Sequence, residues 1–390
     1  MKILSIPGAY GLSIPQHGGQ NRYSNLVKQL RKNNSVSVLV PERFVTSNDF
    51  ELAEIRSYRE FSVRGRRSAY YKDLDLAYVF KLLHILKNEP IDIIEIHFPS
   101  GCFAAKLLSR LLAKKIPLIY SSHNVESDYI DEVFAKDTRR SRLERAVTVP
   151  YIKLYERIVC KYLADAIIAV SEDDRIRFLK KYNLDDQKVA VVPSGCSISK
   201  SGLASKRMLR HNKGIDPDAV VVIFHGSYDH PPNQEAIHII RHAIAPSFEK
   251  TAERVLFLLC GAGMPKFEES NVLSLGYVSD LFSTISLADI AIVPVLSGGG
   301  TKLKMFDYMN AGLPIITTRK GIEGINAKDK EQAIITESIN EMVDAIASLS
   351  KNRQERERLG LNARRLVEKE YDWDIIGDKL VDTYRAIGER

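Results

Sequence analysis

Residues 293–318 read VPVLSGGGTKLKMFDYMNAGLPIITT: three glycines, then Thr301, then two lysines, Lys302 and Lys304, at the predicted start of a helix. The amino end of a helix carries roughly half a positive charge, so cations in its first turn cost a few tenths of a kcal/mol each unless an anion sits between them. Glycine lets backbone N–H groups approach a diphosphate, and the lysines neutralise it. Thr301 is the predicted N-cap, Leu303, Met305, Phe306 and Met309 continue the helix, and Gly312 with Pro314 ends it. Asp307, on the next turn, is placed to meet a sugar hydroxyl of the same ligand. Phosphate plus ribose, a nucleotide, accounts for all of these residues together.

Three further glycine turns follow strand-like runs. Gly18 and Gly19 stand just before a helical stretch with Arg22 in its first turn, a second place where exposed N–H groups can take a phosphate. Gly226 ends the run AVVVIFHG, and Pro232 and Asn233 mark the helix after it. The run CGAGMPKF has Gly261 and Gly263 but Lys266 where a dinucleotide fingerprint has its third glycine, so it reads as a tight turn. The pairs Asp73/Asp75, Asp216/Asp218 and Asp372/Asp374 fall in predicted helices or a linker and not at strand ends, so no metal site is expected. Cys102, Cys160, Cys196 and Cys260 are far apart and read as buried apolar residues, with Cys196 a remote candidate nucleophile.

Short aliphatic runs alternate with amphipathic ones along the whole chain. KILSIP, VSVLVP, IDIIEIHF, PLIYSSH, AIIAVS and VAVVP predict one parallel sheet; AVVVIFHG, VLFLLCG, VLSLGYV, IAIVPV, PIITT and AIIT predict another. The polar stretch 197–218 between them is the expected linker. The expected fold is α/β, two Rossmann-like doubly wound domains facing each other across a cleft: residues 1–200 with a terminal helix 372–390, and residues 201–371. Ligands of such sheets bind at the carboxyl ends of the strands, so the cleft is the expected site. Trp373, the one tryptophan, is expected to anchor that last helix.

The 390 residues are 45% apolar and 27% charged, which suits two folded domains. No run reaches the roughly 18 apolar residues a membrane span needs, and the opening MKILSIPGAYG is too short for a secretory leader, so a cytoplasmic chain is expected. Residues 1–200 hold 32 Lys+Arg against 23 Asp+Glu, whereas the remainder holds 24 against 26. Two clusters concentrate the excess: Arg64, Arg66 and Arg67, then Arg139, Arg140, Arg142 and Arg145. They suit the inner, anionic face of a membrane, where each cation contributes about 1 kcal/mol, or else a solvated helix face. No aromatic-basic interleaving accompanies them, so no nucleic acid partner is expected.

The segment SGGGTKLKMFDYMNAGLPIITTRKGIEGI, with LGYVSDL and FHGSYDHPPNQEAI ahead of it, resembles the nucleotide-binding domain of retaining GT-B glycosyltransferases of family 4, the group 1 transferases. GGQNRYSNLVKQL, SSHNVESDY, ADAIIAVSEDD, VAVVPSGCS and YDWDIIGDKLVDTY are similar to other parts of the same family, so the resemblance spans nearly the whole chain. It implies sugar transfer from a nucleoside diphosphate donor, UDP or GDP being expected, to a lipid-linked or polysaccharide acceptor, with anomeric retention, no metal and no separate cofactor. Carried across by position, the donor set is Gly18, Gly19, Gly226, Tyr277, Val278, Gly299, Gly300, Thr301, Lys302, Leu303 and Asp307. Tyr277 and Val278 match the loop that covers the base, Asp307 the ribose carboxylate, and His123 the histidine facing the donor sugar; His123 and Lys302 are the candidate catalytic groups. His97 and Glu126 are softer candidates for acceptor contacts. The chain departs from the family at Gly299, where many members hold a first Glu, and at SYDHPPN, where many hold an Arg and a Lys. Those departures leave two alternatives open, a non-catalytic nucleotide-sugar-binding subunit or sensor and a nucleotide-sugar 2-epimerase.

Overall fold

The aliphatic runs fold as strands of two separate sheets, each of seven strands among the described residues. The structure, a computed structural model, describes residues 1–8, 18–46, 49–60, 70–131, 142–199, 206–211, 213–250 and 254–389. The first sheet holds β1 (Lys2–Ile6), β2 (Ser35–Pro41), β3 (Glu54–Tyr58), β4 (Ile93–Ile96), β5 (Leu118–Ser121), β6 (Ala166–Ala169) and β7 (Val189–Val191). Their order is β3-β2-β1-β4-β5-β6-β7, all parallel. The second holds β8 (Val220–His225), β9 (Val255–Cys260), β10 (Phe267–Glu269), β11 (Val272–Ser274), β12 (Ile290–Val293), β13 (Ile315–Thr318) and β14 (Ile334–Thr336). Its order is β10-β11-β9-β8-β12-β13-β14, with β10 alone antiparallel.

Parallel strands connected through helices are covered on both faces, which is why central strands such as β4 and β12 are buried at every position and mostly aliphatic. Ile93 and Ile94 show it: the first packs with Ile3, Val38 and Ile119, the second with Leu4, Ile96 and Leu118, in separate cores on opposite faces. Strand order reverses between β1 and β4 in one sheet and between β8 and β12 in the other. Those are the switch points where a doubly wound sheet opens a crevice at its carboxyl ends. Both units are α/β with doubly wound sheets, as the sequence predicts.

The terminal helix Trp373–Gly388 lies on the helix Gly18–Arg31. Trp373, Ile376, Leu380 and Tyr384 share a core with Tyr23, Leu26 and Val27, and a Cβ at Gly377 would lie 2.7 Å from the Gln29 Cβ. Met1–Ser194 with this helix form one compact unit, and Gly195–Asp372 form the other.

Two strands were not predicted. The run that forms β3, EIRSY, is half polar because it forms an edge, and β10 has three residues with two exposed glutamates. The expected linker contains a helix, Lys206–His211, whose Arg210 is buried. Its guanidinium donates to the Leu287 and Ala219 carbonyls and pairs with Asp289 at 2.5 Å, which fastens this segment to the second unit. Charge without periodicity concealed that role.

Candidate functional site

In the second unit, three loops meet at the switch point between β8 and β12. The first is the turn after β8, where Gly226 donates its N–H to the Cys260 carbonyl and Tyr228 to Ala262. The second is the turn after β9, where Gly261 approaches so closely that a Cβ there would lie 2.0 Å from the Gly226 oxygen. Gly261 also donates to the Gly276 carbonyl at 2.9 Å, which brings the loop of Tyr277 and Val278 alongside. Tyr277 is exposed and Val278 packs on the core. The Gly261/Gly263 turn leads into β10 and not into a helix, so it is no dinucleotide fingerprint.

The third loop is the glycine run. Gly298 and Gly300 have φ of +98° and +66°, a backbone that favours glycine, whereas Gly299 has no positive φ. The helix starts later than predicted, at Lys304, with Leu303 half-buried before it and Thr301 outside it. Thr301 is therefore not the N-cap; its hydroxyl is buried and has no hydrogen-bond partner among the described residues. The two lysines differ sharply. Lys302 folds back, donating to the Gly298 and Gly300 carbonyls at 2.8 and 2.9 Å, and lies 3.6 Å from Glu323. Lys304 is inserted beneath the Gly226 turn, donating to Asn233 Oδ1 at 2.7 Å with its Nζ 4.0 Å from the Phe224 ring centroid. A Cβ at Gly226 would come within 2.7 Å of Asn233 and 2.9 Å of that ammonium, so only glycine leaves the pair in place. Burial first, and repulsion from Lys302 second, push Lys304 down to about 7. Asp307 lies 3.3 Å from His225 Nε2 at the end of β8.

The first unit gathers a different set at its carboxyl ends. Gly18 and Gly19 open the helix Gly18–Arg31, and a Cβ at Gly19 would lie 3.6 Å from His123 Nδ1. His123 follows β5, and its Nε2 is 3.3 Å from Nδ1 of His97, which follows β4. His97 is buried, with Nε2 2.8 Å from Glu95, so it stands behind His123 and is not an exposed contact. Burial, then His97, then Arg22 hold His123 well below the usual imidazole range. Arg22 is buried too, and donates to the Val192 and Pro193 carbonyls and to Ser194. Glu126 is a buried acid whose carboxyl is pushed up to about 8, by burial and then by Glu156. Glu156 itself accepts from Tyr120, Tyr182 and two backbone N–H groups.

Sequence reasoning singled out the lysines, Asp307 and His123 but missed Asn233 as a partner, Phe224, His225, Glu323, and the Glu95–His97 pair. The signal for the last was present in EIH, where alternate residues of a strand end share a face. The aspartate pairs have structural partners. Asp73 accepts from Gly101, Ala104 and Tyr155, Asp75 caps the helix Leu76–Asn88, Asp216 binds Arg254, and Asp374 binds Lys32. All four cysteines are buried, and burial pushes the Cys196 thiol up to about 12, which removes it as a nucleophile. Arg64, Arg66, Arg67, Arg139 and Arg140 lie outside the described residues; Arg142 and Arg145 begin the helix Arg142–Ile158.

Two family models match the chain, Glycosyltransferase Family 4 over residues 17–200 and Glycosyl transferases group 1 over residues 219–352. Among solved structures it is similar to HepE of Anabaena in complex with UDP, with a TM-score of 0.73 at 15% identity over 99% of this chain and 100% of that one. It is also similar to sucrose-phosphate synthase of Thermosynechococcus elongatus, with a TM-score of 0.72 at 14% identity over 99% of both chains. A third is WaaG, a glycosyltransferase involved in lipopolysaccharide biosynthesis, with a TM-score of 0.66 at 15% identity over 97% of this chain and 98% of that one. No curated protein matches the sequence.

Proposed function

We propose that this chain, which belongs to the family 4, group 1 glycosyltransferases, takes a sugar from a nucleoside diphosphate donor held by the Gly195–Asp372 unit. The acceptor is held by the other unit, the anomeric configuration is retained, and no metal is needed. One observation carries the donor assignment: Lys302, Lys304, the orphaned Thr301 hydroxyl and the Gly226 turn converge at the β8/β12 switch point. The lysines, both largely buried, carry the charge that a diphosphate leaving group needs. Asp307 takes the ribose, the loop of Tyr277 and Val278 covers the base, and His123 meets the sugar. In the transfer the bond from the anomeric carbon to the diphosphate breaks, the acceptor oxygen bonds that carbon on the same face, and its proton passes to the departing phosphate. HepE, whose complex contains UDP, supports UDP as the nucleotide.

The test is release of UDP or GDP from a panel of nucleotide sugars in EDTA, with the anomer of the product read by proton NMR before it equilibrates. Release with retention, unaffected by EDTA, is expected. Tight nucleotide binding with no release from any donor would leave a binding subunit and overturn the enzymatic reading.

The acceptor is proposed to be presented at an anionic membrane. Helices of the first unit expose apolar stripes: Phe103, Leu107 and Leu111 on Cys102–Leu111, and Leu143, Val147 and Leu154 on Arg142–Ile158, with Leu143 76% exposed. Spacings of four and seven place each set on one helix face. Exposed cations, Arg110, Lys115, Arg142 and Arg157, accompany them, as in a helix that rests at a lipid interface. No helix among the described residues is long and apolar enough to cross a membrane. Changing Leu143, Val147 and Leu154 together to Glu should abolish flotation with phosphatidylglycerol vesicles; unchanged flotation would refute the docking face.

A further inference from the structure

We propose that the Gly195–Asp372 unit has a second anion site, at the end of its sheet opposite the β8/β12 switch point, which takes a small phosphate-bearing molecule. A cavity of about 540 Å³ opens there, within the roughly 300–1,000 Å³ of ligand sites. Pro217 and Asp218 on its wall precede β8, Asp289 precedes β12 and Pro314 precedes β13, so it lies at the amino ends of these strands. The donor loops stand at their carboxyl ends, and none of the donor residues lines it.

Five cations and three carboxylates line the cavity. Two of the carboxylates are already engaged. Asp289 lies 2.5 Å from Arg210 and 3.1 Å from Lys206, and accepts from the Val221 N–H at 2.9 Å. Glu357 pairs with Arg353 at 2.8 Å, one turn along the helix Arg353–Glu370. The third, Asp218, is exposed. Arg356 has carbonyls as partners, those of Leu349 and Ser350. The Arg207 guanidinium is exposed and makes no hydrogen bond or ion pair among the described residues. The wall therefore carries more positive charge than its own carboxylates neutralise.

These cations come from two helices, Lys206–His211 and Arg353–Glu370. Arg353 and Arg356 stand at the amino end of the second, an 18-residue helix whose dipole disfavours cations and favours an anion beside them. Glu355, in the same turn, pairs with Arg358 and does not line the cavity. Guanidinium groups match the oxygens of a phosphate two at a time, and the volume leaves room for an organic group beside it. The remaining wall, Gly312 to Pro314, follows the helix Lys304–Asn310 that carries Lys304 and Asp307. A Cβ at Gly360 would lie 2.0 Å from the Gly312 oxygen, so the helix of Arg353 and Arg356 packs directly on that loop. An occupant of the cavity thus meets the far end of the donor helix.

The test is calorimetric titration of inorganic diphosphate, at pH 8 and low salt, into three proteins: the wild type, the double variant Arg207→Glu with Arg353→Glu, and Lys304→Met. Both substituted arginines are exposed, so the double variant is expected to melt with the wild type. The wild type is expected to bind two equivalents. The double variant should lose one of them, by a weakening of roughly tenfold or more, and Lys304→Met should lose the other. Competition by inorganic phosphate, UMP and glucose 1-phosphate in Lys304→Met then identifies the organic part of the ligand. A double variant that binds as many equivalents as the wild type with the same Kd overturns the second site, as does a wild type that binds a single equivalent removed only by Lys304→Met. If Lys304→Met keeps both equivalents while the double variant loses one, the donor assignment fails and the second site stands.

Discussion

The two carboxyl-end sites of this chain differ in how they hold a buried charge. In the first unit Arg22 donates to the Val192 and Pro193 carbonyls and to Ser194, and Glu95 accepts from Ser5 and lies 2.8 Å from His97 Nε2. In the second, two cations sit within one glycine loop and one of them, Lys304, is buried against an aromatic ring with an amide as its hydrogen-bond partner. Burying a cation without a carboxylate is costly, and the protein meets that cost by letting Lys304 fall to about 7. A buried cation whose partner is a neutral amide is a state that an anion would complete, and this supports the proposed place of the nucleotide in the second unit.

The contrast can be broken most severely at Gly261. Alanine there would put a Cβ 2.0 Å from the Gly226 oxygen, so Gly261→Ala should separate the two turns, cost about 2–3 kcal/mol of stability and remove nucleotide binding. Urea unfolding and calorimetry check it; a variant as stable as the wild type would contradict the contact. Next comes Lys304. Its folded value lies below the ordinary lysine value of 10.5, so the folded state prefers the neutral amine, and the wild type loses stability as pH falls from 10.5 to about 7 and carries the whole penalty below that. Lys304→Met should therefore unfold at a higher temperature than the wild type at pH 6, by about 1 kcal/mol of stability, although it loses function. Equal melting temperatures at pH 6 would refute the buried cation. A smaller effect is expected at Asp307, where Asn should weaken UDP by about 1 kcal/mol and leave UMP discriminated from its 2′-deoxy form less sharply.

The smallest effect belongs to the first unit. Glu126 has a folded value of about 8, above its ordinary 4.5, so its stabilising proton is held fully below 4.5 and lost as pH climbs to 8. Glu126→Gln should be within about 0.5 kcal/mol of the wild type at pH 4 and should fall off less between pH 4.5 and 8. A pH slope identical to the wild type would show that the carboxyl is already ionised.

Much of this was legible in the sequence, for identifiable reasons. Central strands such as VVVIFH and IAIV are buried on both faces, so their composition alone announces them. The edges β3 and β10, half exposed, carry no such mark. Thr301, Lys302 and Lys304 were found because charge beside a glycine run is a local signal, but the start of the helix was misplaced because Lys302 and not Thr301 ties the loop down. Asn233, 71 residues from Lys304, and Glu95 with His97, 26 residues before His123, depend on strand pairing, which a single sequence does not display. Why Gly299 stands where a carboxylate is expected has no account in the structure.

The most direct test of the donor assignment is calorimetry of UDP, GDP and ADP at pH 8 in two buffers of different ionisation enthalpy, on the wild type and on Lys304→Met. A diphosphate raises the Lys304 value on binding, so the wild type should take up close to one proton and bind one nucleotide in the micromolar range. The variant should lose that uptake and about 2 kcal/mol of affinity, the worth of a charge-assisted contact. Equal affinity and equal proton uptake in the two proteins would place the diphosphate elsewhere.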